Sequence, residues 1–229
     1  MTGIIDYGAG NITSVERTLS SIGAPFLTSK NPSYLENCDR IIFPGVGDAA
    51  FAMSRLKKTG FDVFLRECVL SEKKLMGICL GSQIVFDYSE EGNTECLGLI
   101  PGKIRHFSSL WKENGIGAEK NELKVPHIGY NDLSYVNGGS SAFEGISEKS
   151  DFYFVHSYVI CPDDFSLVKA VCDYGVKVPS CVQMKNVFLF QFHPEKSGEK
   201  GIRILKNFIG EDISKCTLDI CLLNYKLSK

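Results

Sequence analysis

Leu75-Met76-Gly77-Ile78-Cys79-Leu80-Gly81-Ser82-Gln83 runs from a short apolar stretch into a Gly-x-Cys-x-Gly pattern, and the helix-compatible Ile84, Val85 and Phe86 follow. This is the layout of a nucleophile elbow, a sharp strand-to-helix turn, with cysteine where hydrolases carry serine. The turn crowds the backbone on both sides of the nucleophile, and glycine is the residue that tolerates such crowding. A sulfur at the carboxyl end of a strand and the start of a helix meets backbone N–H groups and a helix dipole, which favour thiolate over thiol. An ordinary buried cysteine in a glycine-flanked loop has the same local pattern. The assignment therefore depends on finding a base and an orienting group elsewhere.

Segments upstream supply the frame. Gly3–Asp6 reads as a buried strand, followed by the turn Tyr7-Gly8-Ala9-Gly10-Asn11, with Asn11 as helix N-cap. Ile12, Val15, Leu19 and Ile22 recur at spacings of three and four, one face of an amphipathic helix. Gly8 and Gly10 lack the third glycine of a dinucleotide fingerprint, so no nucleotide cofactor is expected. Phe26–Thr28 and Arg40–Phe43 read as the second and third strands. Pro44-Gly45-Val46-Gly47 then brings two glycines directly after a strand. Such a loop lets N–H groups converge on one point, as an oxyanion hole requires, although an ordinary strand-to-helix turn reads the same way. Phe61, Phe64, Leu65, Cys68 and Val69 mark another helix face before the Cys79 strand. Strand and helix alternate, which predicts an α/β fold: a mixed, largely parallel twisted sheet sandwiched by helices.

Beyond Gly92 the helical periodicity fades. Lys103–Phe107, Val125–His127, Asp132–Val136, Phe152–Val159, Leu167–Asp173 and Val187–Phe192 read as antiparallel strands added to the same sheet. Ile202, Leu205, Phe208 and Ile209 line a closing helix. Residues 1–209 are expected to form one domain, with 210–229 an extension of unknown role.

Bulk properties exclude several classes. Formal net charge is −2 and no Lys/Arg run stands out, so nucleic acid and anionic membrane are poor partners. No apolar run approaches the roughly 20 residues of a membrane span, and Met1–Asp6 lacks the basic start of a signal peptide. The nine cysteines are odd in number, irregular in spacing and without a CxxC pair. A disulfide framework or a metal site is therefore not expected, and a reducing, cytoplasmic location is.

A cysteine nucleophile needs a base, and the base needs an orienting group. Of the four histidines, His106, His127, His156 and His193, only the last stands at a strand end with a carboxylate two residues on, in Gln191-Phe192-His193-Pro194-Glu195. Pro194 stiffens the connection, and Glu195 can return to the imidazole to set its tautomer.

Gly77–Gln83, Phe43-Pro44-Gly45-Val46-Gly47 and Phe192-His193-Pro194-Glu195-Lys196-Ser197 together resemble the class I, triad-type glutamine amidotransferases. Asp6–Asn11, Val125–Asn131 and His156-Ser157-Tyr158 are similar to the glutaminase subunits of imidazole glycerol phosphate synthases, and the likeness spans roughly residues 3–209. The resemblance implies a Cys79 nucleophile, His193 as general base and acid, and Glu195 as its orienter. It implies oxyanion donors in the backbone of Leu80 and of the Gly45–Val46 loop, and glutamine held by Gly47, Gln83, His156, Ser157 and Tyr158. It also implies an obligate cyclase partner in a heterodimer, forming imidazole glycerol phosphate and AICAR, with Asn11, Tyr130 and Lys196 at the interface. No cofactor is implied. Tyr130 stands where the family usually has tryptophan. A glutaminase serving a sugar amidotransferase, or a free-standing γ-glutamyl hydrolase, are the alternative readings.

Overall fold

In a computed structural model the described residues are 1–116 and 123–210. Cys216, Cys221 and all of the expected extension except Gly210 lie outside them. The first half alternates strand and helix: β1 (Thr2–Ile5), α1 (Ile12–Ser21), β2 (Phe26–Ser29), β3 (Arg40–Gly45), α2 (Ala49–Thr59), α3 (Phe61–Leu70), β4 (Lys74–Cys79) and α4 (Leu80–Gln83). The second half is richer in strands: β5 (Tyr88–Ser89), β6 (Thr94–Glu95), β7 (Gly102–His106), α5 (Phe107–Glu113), β8 (His127–Asp132), β9 (Ser134–Tyr135), β10 (Asp151–His156), β11 (Tyr158–Pro162), β12 (Val168–Asp173), β13 (Lys177–Met184), β14 (Val187–Phe190) and α6 (Gly198–Ile209).

The main sheet has eight strands in the order β2-β1-β3-β4-β14-β13-β12-β9. Strands β2, β1, β3, β4 and β14 run parallel, and β13, β12 and β9 continue antiparallel. Its central strands are apolar on both faces, as strands covered by helices on both sides must be. Ile5, Ile41, Phe43, Leu75 and Leu189 pack with α2 and α3, whereas Ile4, Ile42, Met76, Ile78 and Phe190 pack with α1 and α6. The expected mixed, largely parallel α/β sandwich is the observed architecture.

Several expectations need correction. The second-half strands do not all join one sheet. Strands β8 and β10 form a separate antiparallel pair, and β11-β7-β5-β6 a separate four-stranded sheet. Phe152–Val159 is two strands broken at Ser157, which lets one segment serve both small sheets. Phe107 begins helix α5 instead of ending a strand. Helix α2 and strand β13 were not anticipated. The helix carries its own signals, an Asp48 side chain accepting the Phe51 N–H at 2.8 Å and a left-handed Gly60 at its end.

Topology then sets the site. Strand β14 is paired in parallel with β4, with Phe190 opposite Ile78. Both strands leave the sheet at the same edge, so Cys79 and the Gln191–Glu195 segment emerge side by side. The carboxyl ends of parallel strands are where open α/β sheets place their ligands.

Candidate active site

Cys79 sits at φ 53°, ψ −115°, a left-handed conformation that a cysteine adopts only under constraint. Residues held in such regions cost about 1–3 kcal/mol and persist where surrounding structure enforces them. The enforcement is visible in the glycines. A Cβ on Gly81 would lie 2.1 Å from the Phe43 carbonyl oxygen, and one on Gly45 would lie 2.3 Å from the Gly81 nitrogen. The elbow therefore presses directly against the end of β3, where Gly45 is register-paired with Cys79.

The helix after the elbow is shorter than expected. It is one turn, Leu80–Gln83: the Phe86 N–H turns back to the Gln83 carbonyl at 3.1 Å and the Asp87 N–H donates to the Gly102 carbonyl at 3.1 Å, so neither continues the helix. Leu97, Gly98 and Leu99 donate their N–H groups to Ile84, Phe86 and Val85 at 2.9, 2.7 and 2.9 Å. Ile84, Val85 and Phe86 are a buried connector, so a helix dipole contributes less at Cys79 than the sequence suggests.

His193 follows the end of β14, and its Nδ1 is 2.8 Å from Glu195 Oε1, with both side chains about 1% exposed. The pair is held from several sides. The His193 N–H donates to the Tyr153 carbonyl at 2.9 Å, and Ser197 Oγ donates to the His193 carbonyl at 2.7 Å while accepting the Tyr153 N–H at 3.0 Å. Asn11 Nδ2 reaches Glu195 Oε1 at 3.5 Å. Asn11 was expected to cap α1, yet its side chain accepts no backbone N–H; Oδ1 takes the Ser14 hydroxyl at 2.8 Å instead. Burial alone would lower the His193 pKa. The Cys79 sulfur nearby, and the hydrogen bond and charge of Glu195, outweigh it and raise the imidazole to about 10. His193 Nε2 and Glu195 Oε2 make no hydrogen bond.

A cavity of about 390 Å³ opens over these groups, lined by Cys79, Leu80, Gln83, Val46, Gly47, His156, Ser157, Tyr158 and His193 among the expected residues. Glu195 lies behind His193, and Gly45 lies behind the elbow. Pro126, Val155 and Glu91 complete the lining and were not anticipated. Glu91 accepts the Ala49 N–H through Oε2 at 2.9 Å. Burial lifts its carboxyl above the usual range, the Ala49 N–H opposes this, and Asp48 adds to it. Glu91 belongs to no motif, and only its place at a turn before Gly92 distinguishes it in the sequence.

His156 is neutral. Burial, then the neighbouring histidines, lower it to about 3 against one backbone hydrogen bond, and burial lowers His127 to about 4. Its Nδ1 is 2.7 Å from the Tyr158 carbonyl and must carry the proton, since a carbonyl only accepts. Nε2 then accepts from His127 Nδ1 at 3.1 Å. The His127 ring is stacked between Phe154 and Tyr174.

The three expected interface residues gather on one rim. Tyr130 is 63% exposed on strand β8. Its ring meets Tyr153 edge-on, and the Lys196 ammonium lies 5.6 Å from the Tyr153 ring. All seven described cysteines are free thiols. No described helix is long and apolar enough to cross a membrane. Among the described residues no three His, Cys, Asp or Glu side chains form a metal-binding group.

The family model "Glutamine amidotransferase class-I" matches residues 3–211. The chain is 40% identical over 208 residues to "Imidazole glycerol phosphate synthase subunit HisH" of Nitratidesulfovibrio vulgaris (strain DSM 19637 / Miyazaki F), covering 91% of this chain and 95% of that one. It is 42% identical over 209 residues to the protein of the same name from Bacillus velezensis, with the same coverage. A solved structure described as a glutamine amidotransferase superposes with a TM-score of 0.66 at 18% identity, covering 93% of this chain and 98% of the other. The PurLQS structure from Thermotoga maritima superposes with a TM-score of 0.64 at 19% identity, covering 91% and 96%. These two likenesses concern the fold.

Proposed function

The chain belongs to the class-I glutamine amidotransferase family, and from that premise we propose that it is the glutaminase subunit of an imidazole glycerol phosphate synthase. It hydrolyses glutamine and hands ammonia to a cyclase subunit in histidine biosynthesis. The observation that carries the chemistry is the His193–Glu195 pair, buried at 2.8 Å, beside a cavity it shares with the strained Cys79. Residues 1–209 make up the glutaminase domain, and the working location is the cytoplasm.

The Cys79 thiolate attacks the side-chain carbonyl carbon of glutamine. Charge develops on the amide oxygen, where the N–H groups of Leu80 and of the Gly45–Val46 segment donate. The C–N bond breaks as His193 gives its proton to the departing nitrogen, releasing ammonia and leaving a glutamyl thioester. Water then gives a proton to His193 and its hydroxyl to the thioester carbon, and glutamate leaves as the thiolate returns. Glu195 holds Nδ1–H throughout, which fixes the tautomer and stabilises imidazolium. At the far end of the cavity the Glu91 carboxylate takes the substrate's α-ammonium. Gln83, Gly47 and the His156-Ser157-Tyr158 strand hold the amino-acid end.

Asn11, Tyr130 and Lys196 mark the face that receives the cyclase. The test is glutamate release measured with the chain alone and with a histidine-pathway cyclase carrying a ligand in its own site. Slow hydrolysis alone and stimulation of about 10²–10³-fold in the complex, the worth of one well-aimed oxyanion donor, is expected. Replacing Cys79 by serine should abolish both rates and leave the complex intact. Full activity without any partner would overturn the assignment in favour of a free-standing hydrolase.

A further inference from the structure

The sulfur of Cys79 meets two polar groups from the protein interior: the Val155 carbonyl oxygen at 3.8 Å and the side-chain nitrogen of Gln191 at 3.9 Å. Gln191 is fully buried, two residues before His193. The two ends of a buried amide look alike, and only its partners tell them apart. Here they do. The Tyr158 carbonyl can only accept, and it lies 3.0 Å from one end of the Gln83 amide, so that end is Nε2. The same Nε2 lies 2.9 Å from Gln191, whose facing atom must accept and is therefore Oε1. The remaining end of Gln191, an NH₂ group, is left facing the sulfur.

We propose that Gln191 is a catalytic hydrogen-bond donor to the Cys79 nucleophile, an inference that rests on the role of Cys79 proposed above. The two contacts of the sulfur act in opposite senses. Val155 O can accept only from S–H and so favours the thiol. An amide N–H donates best to an anion, so Gln191 favours the thiolate and holds the sulfur in place. Gln83 joins the two functions. Its amide is fixed by Tyr158 and Gln191, so the wall that receives glutamine and the donor that steadies the nucleophile form one rigid chain. That chain is buried, where an unpaired polar group is costly, which keeps its polarity defined.

The experiment is iodoacetamide alkylation of the full chain across pH, with Cys79 modification followed by peptide mass spectrometry. It compares the unaltered protein with Gln191→Met and Gln191→Glu. The methionine variant keeps the volume and removes the donor. The glutamate variant keeps the shape and puts an acceptor against the sulfur, so the readout survives if methionine prevents folding. Loss of one hydrogen bond to an ion should move the alkylation profile about one pH unit toward alkali, roughly tenfold slower labelling near neutrality. Gln191→Glu should move it further, and all rates should converge at high pH. An unshifted profile in both variants would overturn the proposal, as would slowing that persists undiminished at alkaline pH. Because alkylation needs no glutamine turnover, an unshifted profile beside an inactive Cys79→Ser protein would remove Gln191 alone.

Discussion

The Tyr130 hydroxyl donates to the Lys196 backbone carbonyl at 3.0 Å, tying β8 to the turn that carries His193 and Glu195. An exposed aromatic on the proposed cyclase face is thus bonded to the segment just after His193. A tryptophan, which the family usually has here, presents its N–H from another point of a larger ring and cannot make the same bond. Removing the ring in Tyr130→Ala should weaken the complex by 2 kcal/mol or more, about thirtyfold, as for other truncated interface anchors. Tyr130→Phe should keep most of the affinity while lowering partner-stimulated hydrolysis. Titration calorimetry with the cyclase and a glutamate-release assay check both. An unchanged affinity in Tyr130→Ala would take this residue out of the interface.

A diazo-ketone analogue of glutamine should label Cys79 and spare the other cysteines. Burial raises the Cys68 and Cys161 thiols to about 11, and Cys172 and Cys96 to about 12, and thiols so placed hold little thiolate at neutral pH. Peptide mapping after stoichiometric reaction is the measurement. Labelling spread over several thiols would refute the elbow assignment.

Glu91→Gln keeps the shape of the cavity wall and removes the charge proposed to meet the α-ammonium. A hydrogen bond to a charged group contributes about 1.5–3 kcal/mol, so kcat/KM for glutamine should fall roughly tenfold to a hundredfold, mostly through KM. Alkylation of Cys79 by iodoacetamide, which carries no amino-acid end, should be unaffected. A change in kcat alone would show that Glu91 acts on the chemistry and not on binding.

Stability should decline on both sides of neutrality, for opposite reasons. His193 is raised from 6.5 to about 10, so the folded state binds its proton more tightly than the unfolded chain. That contribution is complete below pH 6.5 and is lost as pH rises through about 10. His127 and His156 are lowered to about 4 and about 3, so the unfolded chain takes up protons first as pH falls below 6.5. Their neutral burial therefore costs stability progressively between pH 6.5 and about 3. Urea midpoints measured from pH 4 to pH 10 should trace both limbs. Glu195→Gln should flatten the alkaline limb and leave the acid limb in place; an alkaline slope unchanged by that substitution would refute the coupling.

The amino-acid sequence by itself determined the fold class and singled out Cys79, His193 and Glu195, the residues proposed to carry the chemistry. Each of those residues is declared by neighbours within a few positions: glycines that permit an elbow, and a proline that stiffens a turn between histidine and glutamate. The alternation of apolar strands and amphipathic helices is likewise a short-range signal, carried by residue spacing. The rest depended on contacts between distant segments. The elbow helix stops after one turn because the Asp87 N–H donates to the distant Gly102 carbonyl instead of back along the helix. Glu91 enters the cavity through a bond to Ala49, 42 residues away, and Gln191 faces Cys79 across 112 residues of chain. The sheet divides into three because β8 and β10 pair with each other, and β11 with β7, instead of with the main sheet. Local sequence records what a backbone can do at one place, whereas the direction of a buried amide or carboxylate is set by the polar partners that folding brings to it.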